Sequence, residues 1–214
     1  MAKIADITIL VILGIIGGLI LLVARMNGEL TPIRKAKSMP PLVGEIFTIE
    51  GTLELTAPRP VYALCLGDSQ TAGYGLQYPE RDRWCDLLES ATGKEHVTAG
   101  YAGEKIEDLA AHIPEIAQKV TPEVIYLSAG VNDWAAGEPF AVVSDRQIRL
   151  IAALHDAFPD ASVRLLPIFR RGVVAGGFSG IERSEYWADE WHPNEAGHRL
   201  IAESISNFQN TSDD

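Results

Sequence analysis

Three short, dominantly apolar runs constrain this chain most: VYALCL over 61–66, EVIYLSA over 123–129 and SVRLLPI over 162–168. A strand that is apolar at successive positions, instead of alternate ones, buries both faces. That is the pattern of a parallel sheet covered by helices on each side. The segments between the runs have helical spacing. Residues 81–91 put Trp84, Leu87, Leu88 and Ala91 on one face, and Gly93 follows. Residues 105–120 are helical, with Pro114 expected to kink or divide them. Residues 139–157 carry Ile148, Leu150, Ile151 and Leu154, and Asn194 can cap a last helix through Ile201 and Ile205. HVTA over 96–99 is a shorter strand, and residues 46–56 alternate about Glu50-Gly51 as a hairpin. The alternation predicts an α/β domain over 45–214 with helices on both sheet faces. Functional groups of such sheets collect at the carboxyl ends of strands, here after Leu66, Ala99, Ala129 and Ile168.

The N-terminal part is a different object. Ile7–Ala24 has no charge, and eighteen helical residues rise about 27 Å, close to the hydrocarbon thickness of a bilayer. Residues 1–26 therefore read as one transmembrane anchor. A cleaved signal peptide is the alternative, although its core is usually shorter and Leu22 stands where a small residue would precede cleavage after Ala24. Gly14 and Gly18 have the spacing that packs two spans into a dimer, but glycine is common in membrane helices generally. Residues 27–44, with Pro32, Pro40 and Pro41, read as a juxtamembrane linker. Arg25, Arg34, Lys35 and Lys37 follow the span and favour a cytoplasmic body, whereas a short N-terminal tail bearing Lys3 suits a signal anchor that exports it.

Charge divides the chain at the same place. Residues 1–44 carry five basic and two acidic side chains, a net of +3. The other 170 carry 13 basic and 27 acidic, a net of −14. An acidic body repels phosphate backbones and argues against nucleic-acid binding. Two cysteines exclude a disulfide-rich scaffold and a four-cysteine zinc site. Cys65, in a buried strand, and Cys85, on a helix, are expected as free buried thiols, with a disulfide between them as the alternative.

Four segments at the strand ends carry chemistry: Gly67-Asp68-Ser69-Gln70-Thr71, Gly100-Tyr101-Ala102-Gly103, Gly130-Val131-Asn132-Asp133 and Asp189-Glu190-Trp191-His192-Pro193-Asn194. A serine hydroxyl needs a neighbouring base, and His192 is the candidate. Asp189, three residues earlier on the same turn, can accept the other imidazole N–H and set its tautomer. Glycine N–H groups and the Asn132 amide can hold an oxyanion. Taken singly, Ser69 and Asp189 would read as helix caps and Asn132 as a turn former. His192 has no simple packing rationale. Asp68 is a rival acid expected to brace its loop through backbone hydrogen bonds. His198 is expected to be structural or solvent-facing, and His96, His112 and His155 lack motif partners. The GxSxG, GxGxxG, P-loop and HExxH signatures are all absent.

Together, and in this order, the four segments resemble the SGNH hydrolases, the GDSL esterase/lipase superfamily. The resemblance covers residues 61–208. It implies a flavodoxin-like three-layer α/β/α sandwich with a five-stranded parallel sheet. It implies Ser69 as nucleophile, His192 as base and Asp189 as its orienting acid. The oxyanion hole would comprise the Ser69 N–H, the Gly103 N–H (Gly100 being the alternative) and the Asn132 amide. Gln70 departs from the leucine frequent in the family and is expected at the pocket entrance.

The function implied is a membrane-anchored serine esterase without cofactor or metal, acting on a small-molecule, lipid or glycan ester, with short acyl or acetyl groups favoured by an open site. An acyltransferase on the same fold and a non-catalytic tethered binding module are the alternatives. The resemblance also tips the body slightly toward the extracytoplasmic side. The stretch 170–186, Gly-rich over 172–180, is expected to be a mobile substrate loop. Arg170 and Arg171 are there as surface arginines or as a site for an anionic group.

Overall fold

The computed structural model describes residues 57–174 and 180–210. The expected membrane span, its Gly14/Gly18 pair, the linker and the hairpin over 46–56 lie outside these residues. Among the described residues, no helix is long and apolar enough to cross a membrane.

Four parallel strands form the sheet: β1 (Arg59–Gly67), β2 (His96–Gly100), β3 (Val120–Ser128) and β4 (Ser162–Leu165), in the order β2-β1-β3-β4. Side chains alternate across each central strand as the pleat requires. Leu64 and Leu66 of β1, with Ile125 and Leu127 of β3, face α4 (Ile106–Ala117) and α6 (Phe140–Ala157). There they pack with Leu109, Ile113, Leu150 and Leu154. Ala63, Cys65, Val124 and Tyr126 point the other way. They pack against Trp84 and Leu88 of α3 (Trp84–Thr92) and Ile201 and Ile205 of α7 (Glu195–Asn210). Both strands are thus apolar at nearly every position because each face has its own helical layer.

Several elements differ from expectation. The described residues hold four strands of the parallel sheet, not five. β4 ends at Leu165 because the Leu166 N–H still pairs with the Leu127 carbonyl (2.8 Å) but Pro167 has no N–H to continue the ladder. The chain then forms an antiparallel ribbon of β5 (Phe169–Arg170) and β6 (Val173–Val174). Pro114 does not divide α4, which is continuous. The helix expected over 81–91 is two: α2 (Pro79–Asp82) and α3, separated by an extended Arg83. The Trp84 N–H that opens α3 is taken by His198 Nδ1 of α7 (3.2 Å), so this helix start is capped from outside its own segment.

Cys65 and Cys85 are joined in a disulfide, which corrects the expectation of two free thiols. The packing of α3 on β1 brings their Cα atoms to 6.2 Å, within the span of a disulfide. The number of cysteines does not reveal this; only the register of helix on strand does.

Candidate active site

β1 is a central strand, and the chain leaves it for β2 on one side and later for β3 on the other. The carboxyl end of β1 therefore lies at the point where strand order reverses, the usual site of chemistry in such sheets. Gly67 closes β1. A Cβ there would collide with the Ser128 carbonyl and the Thr71 side chain, so only glycine lets the turn press against β3. Asp68 follows, and Ser69 opens the short helix α1 (Ser69–Ala72). The Asp68 carboxylate accepts the Gln70 N–H (3.0 Å), the local cap that sets the angle of α1 and aims Ser69.

His192 arrives 123 residues later. Its Nε2 lies 3.1 Å from Ser69 Oγ, and its Nδ1 lies 2.8 Å from Asp189 Oδ2. Asp189 Oδ1 also accepts the backbone N–H groups of Trp191 (2.7 Å) and His192 (2.8 Å), which curls residues 189–192 into one tight turn. Burial raises the Asp189 pKa, but the hydrogen bonds from the His192 ring and these two N–H groups outweigh it and hold the carboxyl below its ordinary value. Asp189 thus remains an anion beside the imidazole. The turn is anchored on its far side by Asn194, whose Oδ1 accepts the Gly197 N–H (3.0 Å) at the start of α7. The Tyr74 ring packs on His192 with centroids 4.5 Å apart.

The third segment approaches from β3. Asn132 is in α5 (Val131–Ala135), and its Nδ2 donates to the Glu104 carbonyl (2.7 Å). That bond ties Asn132 to the loop carrying Gly103, while Glu104 itself holds His112 Nε2 (2.9 Å). Gly103 has φ +84° with open space where a Cβ would stand, so it is glycine for its backbone angle. Gly100 is glycine for another reason: a Cβ would overlap the backbone of Ala72 in α1. Of the two, Gly103 sits on the open loop beside Asn132, and Gly100 is wedged under α1.

A model of the GDSL-like Lipase/Acylhydrolase family matches residues 65–181, more than half of the chain. The chain belongs to this family. An arylesterase from Vibrio mimicus is 29% identical over 100 residues, which cover 44% of this chain and 48% of that protein. The match thus spans about half the length of this relative. Two solved structures share the GDSL-type fold. A lipolytic G-D-S-L family protein from Veillonella parvula DSM 2008 has a TM-score of 0.56 at 19% identity, over 68% of this chain and 96% of that one. A psychrotrophic esterase from Pseudoalteromonas sp. has a TM-score of 0.57 at 19% identity, over 72% and 99%.

In this GDSL-like domain the remaining polar residues fall into structural roles. Asp133, fully buried, accepts from the Ile106 N–H (3.0 Å) and from Arg146 (2.7 Å), which joins α5 to the start of α4 and to α6. His198 is fully buried, so the structural alternative holds and the solvent-facing one does not. Arg170 is engaged: it pairs with Glu190 (3.0 Å) and lies over the rings of Trp134 and Trp191. Residues 175–179 of the expected substrate loop lie outside the described residues. Its flanks are tied by the Gly172 N–H to the Glu182 carbonyl (3.0 Å) and by a buried Ile181. Gln70 is 2% exposed and turned inward, not at an entrance. Sequence reasoning missed this inward role, and also those of Tyr74 and the Glu104 carbonyl. Only Gln70 carried a signal, its departure from the family's leucine.

Two buried groups give the GDSL-like fold opposing pH dependences. Burial, with a smaller contribution from Asp133, pushes the Asp68 carboxyl up to about 7. The folded chain keeps that proton where the unfolded chain has released it, so stability falls as pH rises from near 4 to near 7. Burial pulls His198 down to about 3. The unfolded chain gains that proton below about 6.5 and the folded chain does not, so stability falls as pH drops from there toward 3. In their shared window the two slopes largely offset. Asp68→Asn removes the first, so its melting temperature should exceed the parent's by several degrees near pH 8 and match it near pH 3.5. Thermal denaturation across this range checks the expectation, and equal melting temperatures near pH 8 would refute the buried-acid assignment.

Proposed function

We propose that this protein is a membrane-anchored serine esterase that hydrolyses short-chain carboxylic esters through Ser69, His192 and Asp189. The observation that carries the reading is the chain of contacts from Ser69 Oγ to His192 Nε2 (3.1 Å) and from His192 Nδ1 to Asp189 Oδ2 (2.8 Å). A neutral imidazole whose Nδ1–H is held by a carboxylate presents an acceptor at Nε2, and that acceptor faces the serine hydroxyl. Ser69 Oγ attacks the ester carbonyl as His192 takes its proton. The oxyanion is held by the N–H of Ser69, the N–H of Gly103 and the Asn132 amide. His192 then protonates the leaving alcohol, and water, activated by the same ring, releases the acid and restores Ser69.

Short acyl groups suit the brevity of the segments around Ser69. β1 passes into α1 through Asp68 alone, and β3 reaches α5 through Ala129-Gly130. These connections supply little surface for a long chain. The anchor over 1–26 and the basic linker would hold the acidic body at a membrane. The Cys65–Cys85 disulfide supports an extracytoplasmic body, since such bonds persist where the compartment is oxidising.

A membrane-impermeant fluorophosphonate tests both parts. It should label Ser69, located by peptide mass, in lysates and equally in cells with an intact cytoplasmic membrane. Absence of label in lysates would overturn the serine mechanism and leave the tethered binding module. Label confined to lysates would overturn the extracytoplasmic placement.

A further inference from the structure

We propose that Gln70 is a positioning residue for the catalytic histidine, latching the turn that carries His192 to the helix that carries Ser69. The proposal rests on the triad reading above. Gln70 is the immediate neighbour of Ser69, and its side chain is buried. Its Nε2 donates to two main-chain carbonyls, Phe169 (3.0 Å) and Trp191 (2.7 Å). A primary amide has two N–H donors, and both are used.

The Trp191 carbonyl belongs to the peptide unit whose nitrogen is that of His192. The same unit's N–H donates to Asp189 Oδ1 (2.8 Å). A peptide unit is planar, so fixing its oxygen and its hydrogen fixes its orientation. That plane contains the His192 Cα, so holding it fixes the point from which the side chain reaches toward Ser69. One end of it is therefore held by the acid of the triad. The other is held by the residue next to the nucleophile.

The second carbonyl extends the latch to β5. Phe169 stands beside Arg170, which pairs with Glu190 (3.0 Å), and Arg171, whose N–H donates to the Glu190 carbonyl (3.1 Å). Residues 169–171 thus grip the histidine turn from outside while Gln70 joins both from beneath. A leucine at position 70 could fill the same volume but could donate to neither carbonyl.

The test is steady-state kinetics of the full chain on a chromogenic acetyl ester near pH 8, comparing the parent with Gln70→Met and Gln70→Glu, each at matched folded fraction by circular dichroism. Methionine keeps the length of the side chain and removes both donors. Glutamate keeps the shape and turns a charged acceptor toward two carbonyls. The turnover number kcat should fall about 10- to 100-fold in Gln70→Met, the scale of a misplacement near 1 Å, with KM within about threefold. Gln70→Glu should be slower still. A kcat within about threefold of the parent in Gln70→Met, with only the melting temperature lowered, would overturn the proposal and make Gln70 a packing residue. A parent chain that neither turns over the ester nor takes the fluorophosphonate would overturn the triad reading itself, which is a distinguishable result.

Discussion

Ser69→Ala should turn over a chromogenic acetyl ester about a millionfold more slowly than the parent chain, while melting at nearly the same temperature. The substitution removes one buried oxygen, the one 3.1 Å from His192 Nε2. No acyl-enzyme can then form. His192 retains its bond to Asp189 but has only water to activate. The fold should not feel the change, because α1 is set by the Asp68 cap and by Gln70, which remain. Initial rates at saturating ester, together with a thermal melt, check the expectation. Activity within about tenfold of the parent would show that another group is the nucleophile. Asp68 would not be that group, since its carboxyl is committed to the Gln70 N–H.

Asn132→Ala should lower kcat about 100- to 1,000-fold with little change in KM. Its amide has two N–H donors, and one is used on the Glu104 carbonyl at 2.7 Å. The second is left for the oxygen of a tetrahedral intermediate. Alanine removes both, so on the proposed mechanism it would delete an oxyanion donor and also release the loop on which Gly103 would supply another. The ester carbonyl in the ground state needs these donors less than the oxyanion does, hence the effect on kcat and not on KM. A change in KM alone would instead make Asn132 a ground-state binding residue. Adding Asn132→Ala to Ser69→Ala should cost much less than either substitution alone, since without the nucleophile there is no acyl-transfer oxyanion to stabilise.

Much of this domain was legible in the sequence, and for a consistent reason. Strands whose residues are apolar in succession, helices with a single apolar face, and glycines at strand ends are local responses to sterics and burial. The residues of β1, β3, α4 and α6 followed from them directly. Asp189 and His192 were legible as a pair because three residues of one turn suffice to join them. Where local pattern met a specific competitor, the expectation failed. Pro167 stopped β4 early, an extended Arg83 divided the second helical segment, and Pro114 was absorbed without a break.

Local pattern along the chain set the class of fold and the strand ends, and it singled out Ser69, Asp189 and His192 as candidate site residues, because burial patterns and short motifs depend on neighbours within a few residues. The tertiary structure decided what depends on residues far apart in the chain. It brought Ser69 to His192 across 123 positions, joined Cys65 to Cys85, buried His198 beneath α3 and turned Gln70 inward onto Phe169 and Trp191. Such contacts arise from how helices seat on a sheet, and no pattern along the chain encodes that seating position by position.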